Sequence, residues 1–145
     1  MVISSSLLRT VISLLAFLTP RLSGCIMSPH TRALVAAAAH AFITGKKVAG
    51  LYDHTAGRHL RIAAEARGQH LQGYDGDRDA RFGGTLPELY DVVTETYVSL
   101  EIDGDTAKGY ERSSSSHYSV TVTDRQVQLF DHGENSWFAF DVQVA

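Results

Sequence analysis

An aromatic residue followed directly by an acid recurs five times along this chain at nearly regular spacing. Successive aromatic residues lie 22, 16, 20 and 20 positions apart, and another apolar side chain stands eight positions after each one. A recurrence of this length matches two strands with their turns, so the pattern predicts a series of β-hairpins. The pairs are Tyr52-Asp53, Tyr74-Asp75, Tyr90-Asp91, Tyr110-Glu111 and Phe130-Asp131, and the apolar positions are Leu60, Phe82, Val98, Tyr118 and Phe138.

From Val48 onward, short segments of alternating polarity are separated by turn residues. Asp103-Gly104 is the strongest turn, because both turn positions tolerate positive φ. Short connections favour antiparallel neighbours, and about nine such strands normally curl or close. The predicted strands are 48–53, 59–66, 69–75, 80–85, 96–103, 106–111, 117–123, 126–131 and 137–144.

One helix is predicted ahead of the strands, within an alanine-rich run. Ser28 can cap it, Pro29 fits its first turn, and Gly45 can end it. The apolar face would comprise Leu34, Ala38, Ala41 and Phe42. The predicted fold is therefore mainly β: an N-terminal amphipathic helix followed by an antiparallel β-hairpin meander, rolled into a small barrel or a compact sandwich.

Size and charge narrow the class of protein. The chain has 145 residues, 44% of them hydrophobic, which suits one globular domain. Its net charge of −3 gives no broad basic field, so duplex nucleic acid is a poor default partner. The single cysteine, Cys25, lies near the N-terminus and leaves residues 27–145 without a disulfide framework or a thiolate zinc site.

The first 26 residues form a separate segment with two interpretations. The apolar run 11–18 follows Arg9 and fits the core of a signal peptide. Leu22-Ser23-Gly24-Cys25 resembles a bacterial lipobox, in which Cys25 would be lipidated and anchored in the cell envelope. Alternatively, Met27 is the true start, residues 1–26 are an extension, and the protein is cytoplasmic. Either way, residues 27–145 are predicted to form a single helix-plus-β domain.

The acids of the repeat are expected to gather at one end of the sheet, with several histidines beside them. A ring of carboxylates and imidazoles could bind a cation or supply an acid and a base. The alternative is that each acid bonds its own turn amides while the aromatic residue fills the core. A residue repeated in every hairpin favours this alternative. The acid and base candidates are His54, Asp53, His117, His132 and Asp131.

Other motifs carry little chemistry. The segment from Asp75 to Asp79 has the alternating acids of a calcium loop, but Ala80 and Leu86 stand where an EF-hand needs glycine and glutamate. The serines before His117 have the composition of a solvated turn. The sequence therefore predicts no metal site, no cofactor and no catalytic residue.

Two segments resemble the Sm-like proteins. Leu71-Gln72-Gly73-Tyr74-Asp75, followed by Asp79-Ala80-Arg81-Phe82, resembles the first Sm signature, and Ile102-Asp103-Gly104-Asp105-Thr106-Ala107 is similar to the second. A helix before a bent antiparallel sheet also matches the family's order of elements. The resemblance spans about residues 60–107 and implies a small β-barrel.

The same comparison disfavours RNA as a ligand. Sm-like proteins use an asparagine and an arginine to read bases, and Asp79 and Asp103 stand at those positions here. Carboxylates repel phosphate and lack the donors of arginine.

The sequence therefore favours a non-catalytic binding or assembly module. It could form a homo-oligomer through sheet edges, or hold a peptide, base or sugar on its tyrosines. The alternative is a small hydrolase or ligand-binding enzyme that uses the turn-end His and Asp residues. A membrane is expected as a partner only through a lipid on Cys25. The candidate ligand-binding residues are Tyr74, Asp75, Asp77, Asp79, Tyr52 and Tyr110.

Overall fold

The computed structural model describes residues 27–145, so the predicted signal segment and Cys25 lie outside the described residues. One helix precedes a continuous antiparallel sheet. The helix is α1 (Pro29–Thr44), and the strands are β1 (Val48–Asp53), β2 (Arg58–Leu60), β3 (Ile62–Arg67), β4 (His70–Asp75), β5 (Ala80–Thr85), β6 (Glu88–Asp91), β7 (Thr96–Ser99), β8 (Glu101–Asp103), β9 (Thr106–Glu111), β10 (Ser116–Thr123), β11 (Gln126–Asp131) and β12 (Ser136–Val144).

The sheet closes into a ten-stranded barrel. β2 and β3 are two parts of one bent strand, as are β7 and β8, with one residue interrupting each. β12 pairs with β1, from Val48↔Val144 to Asp53↔Phe140, and this pairing completes the ring. The predicted mainly β fold is therefore confirmed, and of the two predicted closures the chain adopts the barrel.

Five hairpins of one design build the barrel. In each, the acid pairs directly with the residue five positions later, so that a four-residue loop connects the two strands. The fourth loop residue always has positive φ, as in four-residue loops built around a type I turn. These residues are Gly57 (67°), Asp79 (50°), Glu95 (54°), Ser115 (55°) and Asn135 (57°).

All five loops lie at the same end of the barrel, called here the acid end. The backbone amide of the first loop residue bonds a carbonyl of the preceding hairpin, and the first hairpin bonds the last, so the series closes on itself. The opposite end carries two-residue turns at 68–69, 86–87, 104–105 and 124–125. The amide-to-carbonyl bonds are His54 to Ala139 (3.1 Å), Gly76 to Arg61 (2.6 Å), Val92 to Arg81 (3.4 Å), Arg112 to Tyr97 (3.5 Å) and His132 to His117 (3.0 Å).

The helix lies inside the barrel. Every residue from Thr31 to Ala41 is buried, and α1 contacts β1, β3, β4 and each of the strands from β8 to β12. The predicted single apolar face is wrong in this respect, because a closed wall surrounds the helix on all sides. Alanine suits this position, since its small side chain lets the helix fit between the inward side chains of the strands.

The helix ends match the predicted caps. The Ser28 side chain accepts a hydrogen bond from the amide of Thr31 at 3.2 Å. Gly45 adopts a left-handed conformation (φ 71°), and its amide donates to the carbonyl of Ala41 at 3.0 Å.

The residues of the repeat that are buried are not all those predicted to be buried. The apolar residue eight positions after each aromatic residue is buried, as in Tyr118 (1% exposed) and Val98 (1%). The aromatic residues themselves do not fill the core, because the acid that follows each one points inward and strand side chains alternate. Tyr74 is 42% exposed and Trp137 62%.

One strand was missed by the sequence. β6 (Glu88–Asp91) has four residues and directly follows Pro87, so it offered too little alternation to detect. Its inclusion gives ten strands rather than nine.

Candidate functional site

The five acids of the repeat are all buried at the acid end. Each accepts hydrogen bonds from amides of its own loop: Asp53 from Thr55 (2.9 Å) and Ala56 (3.1 Å), for example. The same bonds link Asp75 to Asp77 and Arg78, Asp91 to Val93, Glu111 to Ser114, and Asp131 to Gly133 and Glu134. This geometry supports the interpretation in which the acids fix the loops.

Two arginines balance part of this buried charge. Arg78 Nε lies 2.6 Å from Asp75 Oδ2, and its Nη atoms lie 3.4 Å from Asp91 Oδ2. Arg32, on the helix, stacks 3.7 Å over the ring of Phe138 and lies 3.6 Å from Glu134. Burial lowers the pKa of Arg32, while the charges of Glu134, Asp131 and Asp53 oppose that shift.

Further hydrogen bonds engage the buried acids at the acid end. Asp131 Oδ2 also accepts the amide of Met27 at 3.2 Å, and the hydroxyls of Ser113 and Ser114 both donate to Glu111. Within residues 27–145, every buried side-chain nitrogen or oxygen has a hydrogen-bond partner. Over the same range, no three His, Cys, Asp or Glu residues are arranged to hold a metal ion.

The acid and base candidates are separated by the barrel wall. Asp53 and Asp131 point inward, whereas His54, His117 and His132 are exposed. His54 Nε2 lies 3.0 Å from Asp141 Oδ2, but both side chains are about half exposed (44% and 55%). Ser119 Oγ lies 3.0 Å from His132 Nε2.

The outward aromatic residues form an aromatic collar around the barrel near the acid end. Each lies opposite the residue seven positions later across its hairpin, and four of the five pairs are ring pairs. The eight-residue spacing predicts the buried position, but this seven-residue pairing was not predicted, although the residue types could have revealed it. The pairs are Tyr52 with His59 (4.9 Å between ring centroids), Tyr90 with Tyr97 (4.9 Å), Tyr110 with His117 (4.8 Å), Phe130 with Trp137 (4.9 Å), and Tyr74 with Arg81.

A groove of about 570 Å³ crosses the outer wall from β3 to β6 and is called here the β3–β6 groove. Tyr74, Arg81 and Tyr90 line it near the acid end. Gly83 and Gly84 lie between β4 and β6 with φ of 152° and 144°. Only glycine readily adopts this backbone conformation. A Cβ on Gly84 would come within 2.8 Å of the Glu88 carbonyl oxygen.

The polar side chains in and beside this groove differ in whether another side chain already forms a hydrogen bond or ion pair with them. The hydroxyl of Tyr74 donates to Asp79, and this hydrogen bond raises the pKa of Tyr74. Glu65 bonds Arg67 at 3.3 Å. By contrast, the guanidinium of Arg81 makes no hydrogen bond or ion pair with any residue in 27–145 and is exposed.

A second, smaller groove of about 370 Å³ lies on the outer face of β9 to β11. It contains Tyr110, His117, Ser119 and His132. A Ser–His hydrogen bond, a second imidazole and a phenol are therefore exposed together on the wall.

The predicted ligand-binding residues fall in three places. Tyr74 lines the β3–β6 groove and Asp79 bonds it, while Asp75 and Asp77 serve the adjoining loop. The Asp77 carboxylate accepts hydrogen bonds from the backbone amide of Arg61 (3.0 Å) and from Arg61 Nε (3.2 Å). These interactions lower the pKa of Asp77. The remaining two, Tyr52 and Tyr110, belong to other pairs of the collar.

The two Sm-like segments are not brought together. Asp79 lies in the β4–β5 loop at the acid end, whereas Asp103 precedes the β8–β9 turn at the opposite end. The pair of positions that resembles the RNA-reading residues therefore does not form one site.

The class of protein defined here is a closed ten-stranded antiparallel β-barrel with an enclosed helix and a grooved outer wall. Comparison with family models, curated proteins and solved structures found no match to the chain. Within residues 27–145, no helix is both long enough and apolar enough to cross a membrane.

Proposed function

We propose that this protein is a non-catalytic binding module that holds a small ligand in the β3–β6 groove, by stacking on Tyr74 and Tyr90. The observation that carries the proposal is Gly83, which pairs with Gln72 on one side and Tyr90 on the other. Gly83 leaves this outward position between two tyrosines without a side chain, and its φ of 152° is a backbone conformation reserved for glycine.

The spacing of the tyrosines suits a small ligand. Gly83 pairs with Gln72 on one side and with Tyr90 on the other, and Tyr74 lies two residues from Gln72 on the same face. Standard strand dimensions place the Cα atoms of Tyr74 and Tyr90 about 12 Å apart. A ligand with one or two rings can lie in such a gap and contact an aromatic side chain at either end.

Catalysis in this groove is not supported by its residues. His70 is its only histidine, and that ring bonds Thr85 Oγ1 at 3.2 Å rather than a carboxylate. The groove is also open along its length, so it would not exclude water from a reaction.

The test is an NMR titration of the protein with three neutral ring compounds: adenosine, methyl glucoside and N-acetyltryptophan amide. At least one should shift the amide resonances of Gly83, Gly84 and Tyr90, and Tyr74→Ala and Tyr90→Ala should each weaken that binding about tenfold. Tyr110→Ala, which changes a collar residue that pairs with His117 and lies outside the groove, is the matched control. Shifts confined to other parts of the wall, or none at millimolar concentration, would overturn the proposal.

The second candidate function, a small hydrolase, is favoured by one observation: Ser119 Oγ lies 3.0 Å from His132 Nε2 in the smaller groove. A serine bonded to an imidazole is the first requirement for a nucleophile and its base. Hydrolysis of 4-nitrophenyl acetate should then fall to the uncatalysed rate in both Ser119→Ala and His132→Gln, but not in His54→Gln. Equal rates in all three variants would exclude this function.

The oligomeric assembly and the cellular location are proposed in less detail. Closure of the ring leaves few free sheet edges. Among the described strands, β2 pairs with β1 alone and β8 with β9 alone, so these two short segments are the edges available for a homo-oligomer. We place the protein in the cytoplasm if it starts at Met27, and in the cell envelope if Cys25 carries a lipid. Intact mass spectrometry of the mature protein distinguishes the two. The Sm-like relationship stays a prediction resting on residues 60–107.

A further inference from the structure

We propose that the ligand of the β3–β6 groove is a small anion joined to a ring, whose carboxylate or phosphate is bound by Arg81 while the ring stacks on a tyrosine. This inference rests on the proposed function and specifies the chemistry of its ligand.

The first argument is that Arg81 interrupts the series of ring pairs in the aromatic collar. At the position seven residues after the aromatic residue, the other hairpins have a ring: His59, Tyr97, His117 or Trp137. The second hairpin alone has a guanidinium there, Arg81. The substitution falls in the hairpin whose outer face carries Gly83, so the guanidinium and the missing side chain coincide in one groove.

The second argument is charge. Arg81 and Lys47 line the groove, and neither side chain is paired with a carboxylate in residues 27–145. The acid in the lining, Glu65, bonds Arg67, whereas the nearby Asp79 accepts only the neutral hydroxyl of Tyr74 and keeps its charge. With Glu65 balanced by Arg67, the two cations Arg81 and Lys47 exceed the one remaining carboxylate, so the groove carries net positive charge on a chain whose net charge is −3. An anionic ligand complements that charge.

The third argument is geometry. A guanidinium offers parallel N–H donors that match the two oxygens of a carboxylate or phosphate. Arg81 lies directly across the hairpin from Tyr74. An anion on Arg81 would therefore place its attached ring beside a tyrosine. Gln72, with no side-chain partner within 27–145, could bond the polar groups of that ring.

Matched probes test this chemistry by NMR titration of the full chain at low ionic strength. Adenosine monophosphate is compared with adenosine, glucuronate with glucose, and inorganic phosphate is tested alone. At least one anionic member should bind about tenfold more tightly than its neutral partner, and inorganic phosphate should bind more weakly than that member. The preferred pair identifies the source, a nucleotide or an acidic sugar.

Variants then assign the effect to one residue. Arg81→Gln should abolish the preference for the anion, and Arg81→Lys should keep only part of it, because an ammonium does not offer the paired donors. Arg125→Gln removes the same charge from an exposed site at the opposite end and should change nothing. Both arginines are exposed, so folding is expected to be retained.

The outcomes separate the two proposals. Equal binding of neutral and anionic partners in the groove would overturn the inference about charge and leave the binding groove standing. A preference that Arg81→Gln does not alter would also overturn it. If inorganic phosphate bound as tightly as the ring compounds, the ring would contribute nothing to affinity, and the inference that the ligand is an anion joined to a ring would be overturned. Absence of binding by every probe would overturn both proposals.

Discussion

The guanidinium of Arg78 lies 3.4 Å from the carboxylate of Asp91, joining the loop of the second hairpin to the last strand residue before the loop of the third. Arg78 also bonds the acid of its own hairpin, Asp75, at 2.6 Å. The exposed fraction of the side chain is 12% for Arg78, 1% for Asp91 and 2% for Asp75, so all three are nearly inaccessible. One arginine thus couples two repeats whose adjoining strands share only two β5–β6 residue pairs and the Val92-to-Arg81 backbone hydrogen bond.

Arg78→Met should destabilise the protein by about 3 kcal/mol, because it leaves two buried carboxylates without their counter-charge. Equilibrium unfolding in urea measures the change. Arg67→Met is the control: its partner is Glu65, both groups are more exposed, and the expected change is about 0.5 kcal/mol or less. Equal effects of the two substitutions would show that the Arg78 contacts contribute no more than a surface pair.

His40 should make stability depend on pH. It is fully buried, its Nε2–H donates to the carbonyl of Asp124 at 2.7 Å, and burial lowers its pKa. In the unfolded chain its pKa is about 6.5. On acidification, His40 is therefore protonated in the unfolded chain before it is protonated in the folded protein. The stability that the buried neutral imidazole contributes is complete above about pH 7 and is lost as the pH falls below about 6.5.

The measurement for His40 is the free energy of urea unfolding between pH 8 and pH 5, compared with that of His40→Gln. Glutamine can still donate to Asp124 but does not titrate. The native protein should lose more stability than the variant on acidification. Parallel pH profiles would contradict the buried neutral imidazole. The other histidines are present in both proteins and cancel in the difference.

The fourth loop position should respond oppositely to two substitutions. Glu95 holds a φ of 54°, which costs an L-residue free energy, so Glu95→Gly should stabilise the fold by about 0.5 kcal/mol after the entropy of glycine is included. Gly57 has a φ of 67° with open space around its Cα, so Gly57→Ala should destabilise it by about 1 kcal/mol. Thermal unfolding of both variants checks the signs, and the same sign for both would refute the shared loop conformation.

Gly109 and Tyr118 provide a fourth test, inside the barrel wall. The buried phenol of Tyr118 donates to the carbonyl of Ser99 and occupies the space beside Gly109. Tyr118→Phe loses this hydrogen bond and should cost about 1.5 kcal/mol. Gly109→Ala would drive a methyl group into the Ser99 carbonyl and the phenol ring, so it should cost at least 3 kcal/mol. A stable Gly109→Ala protein would show that β7 and β9 do not approach this closely.

Burial also raises the pKa of Tyr118 far above its usual range. In an absorbance titration of the native protein, one of the six tyrosines should therefore stay un-ionised up to the pH at which the barrel unfolds. Tyr118→Phe should remove this un-ionised tyrosine from the titration.

The candidate site was only partly predictable. The extra acids and the Sm-like neighbours of its hairpin single out Tyr74, and the structure places this residue in the β3–β6 groove. The acids themselves serve the loops. The sequence offers Tyr90 only as one of several tyrosines that could stack a ligand and gives no reason to select Arg81, because the proximity of these residues to Tyr74 depends on the register of β4, β5 and β6, which sequence spacing does not supply.

The sequence by itself determined the local features: the hairpin repeat, the helix with its Ser28 and Gly45 caps, and the use of each acid by its own turn. These depend on residues within a few positions of one another. Only the tertiary structure decided which way each aromatic residue faces, that β1 closes on β12, and that α1 lies inside. Closure joins Val48 to Val144 across nearly the whole domain. Once the ring encloses the helix, the helix must fill the core that the sequence had assigned to the tyrosines, and the tyrosines form the outer wall.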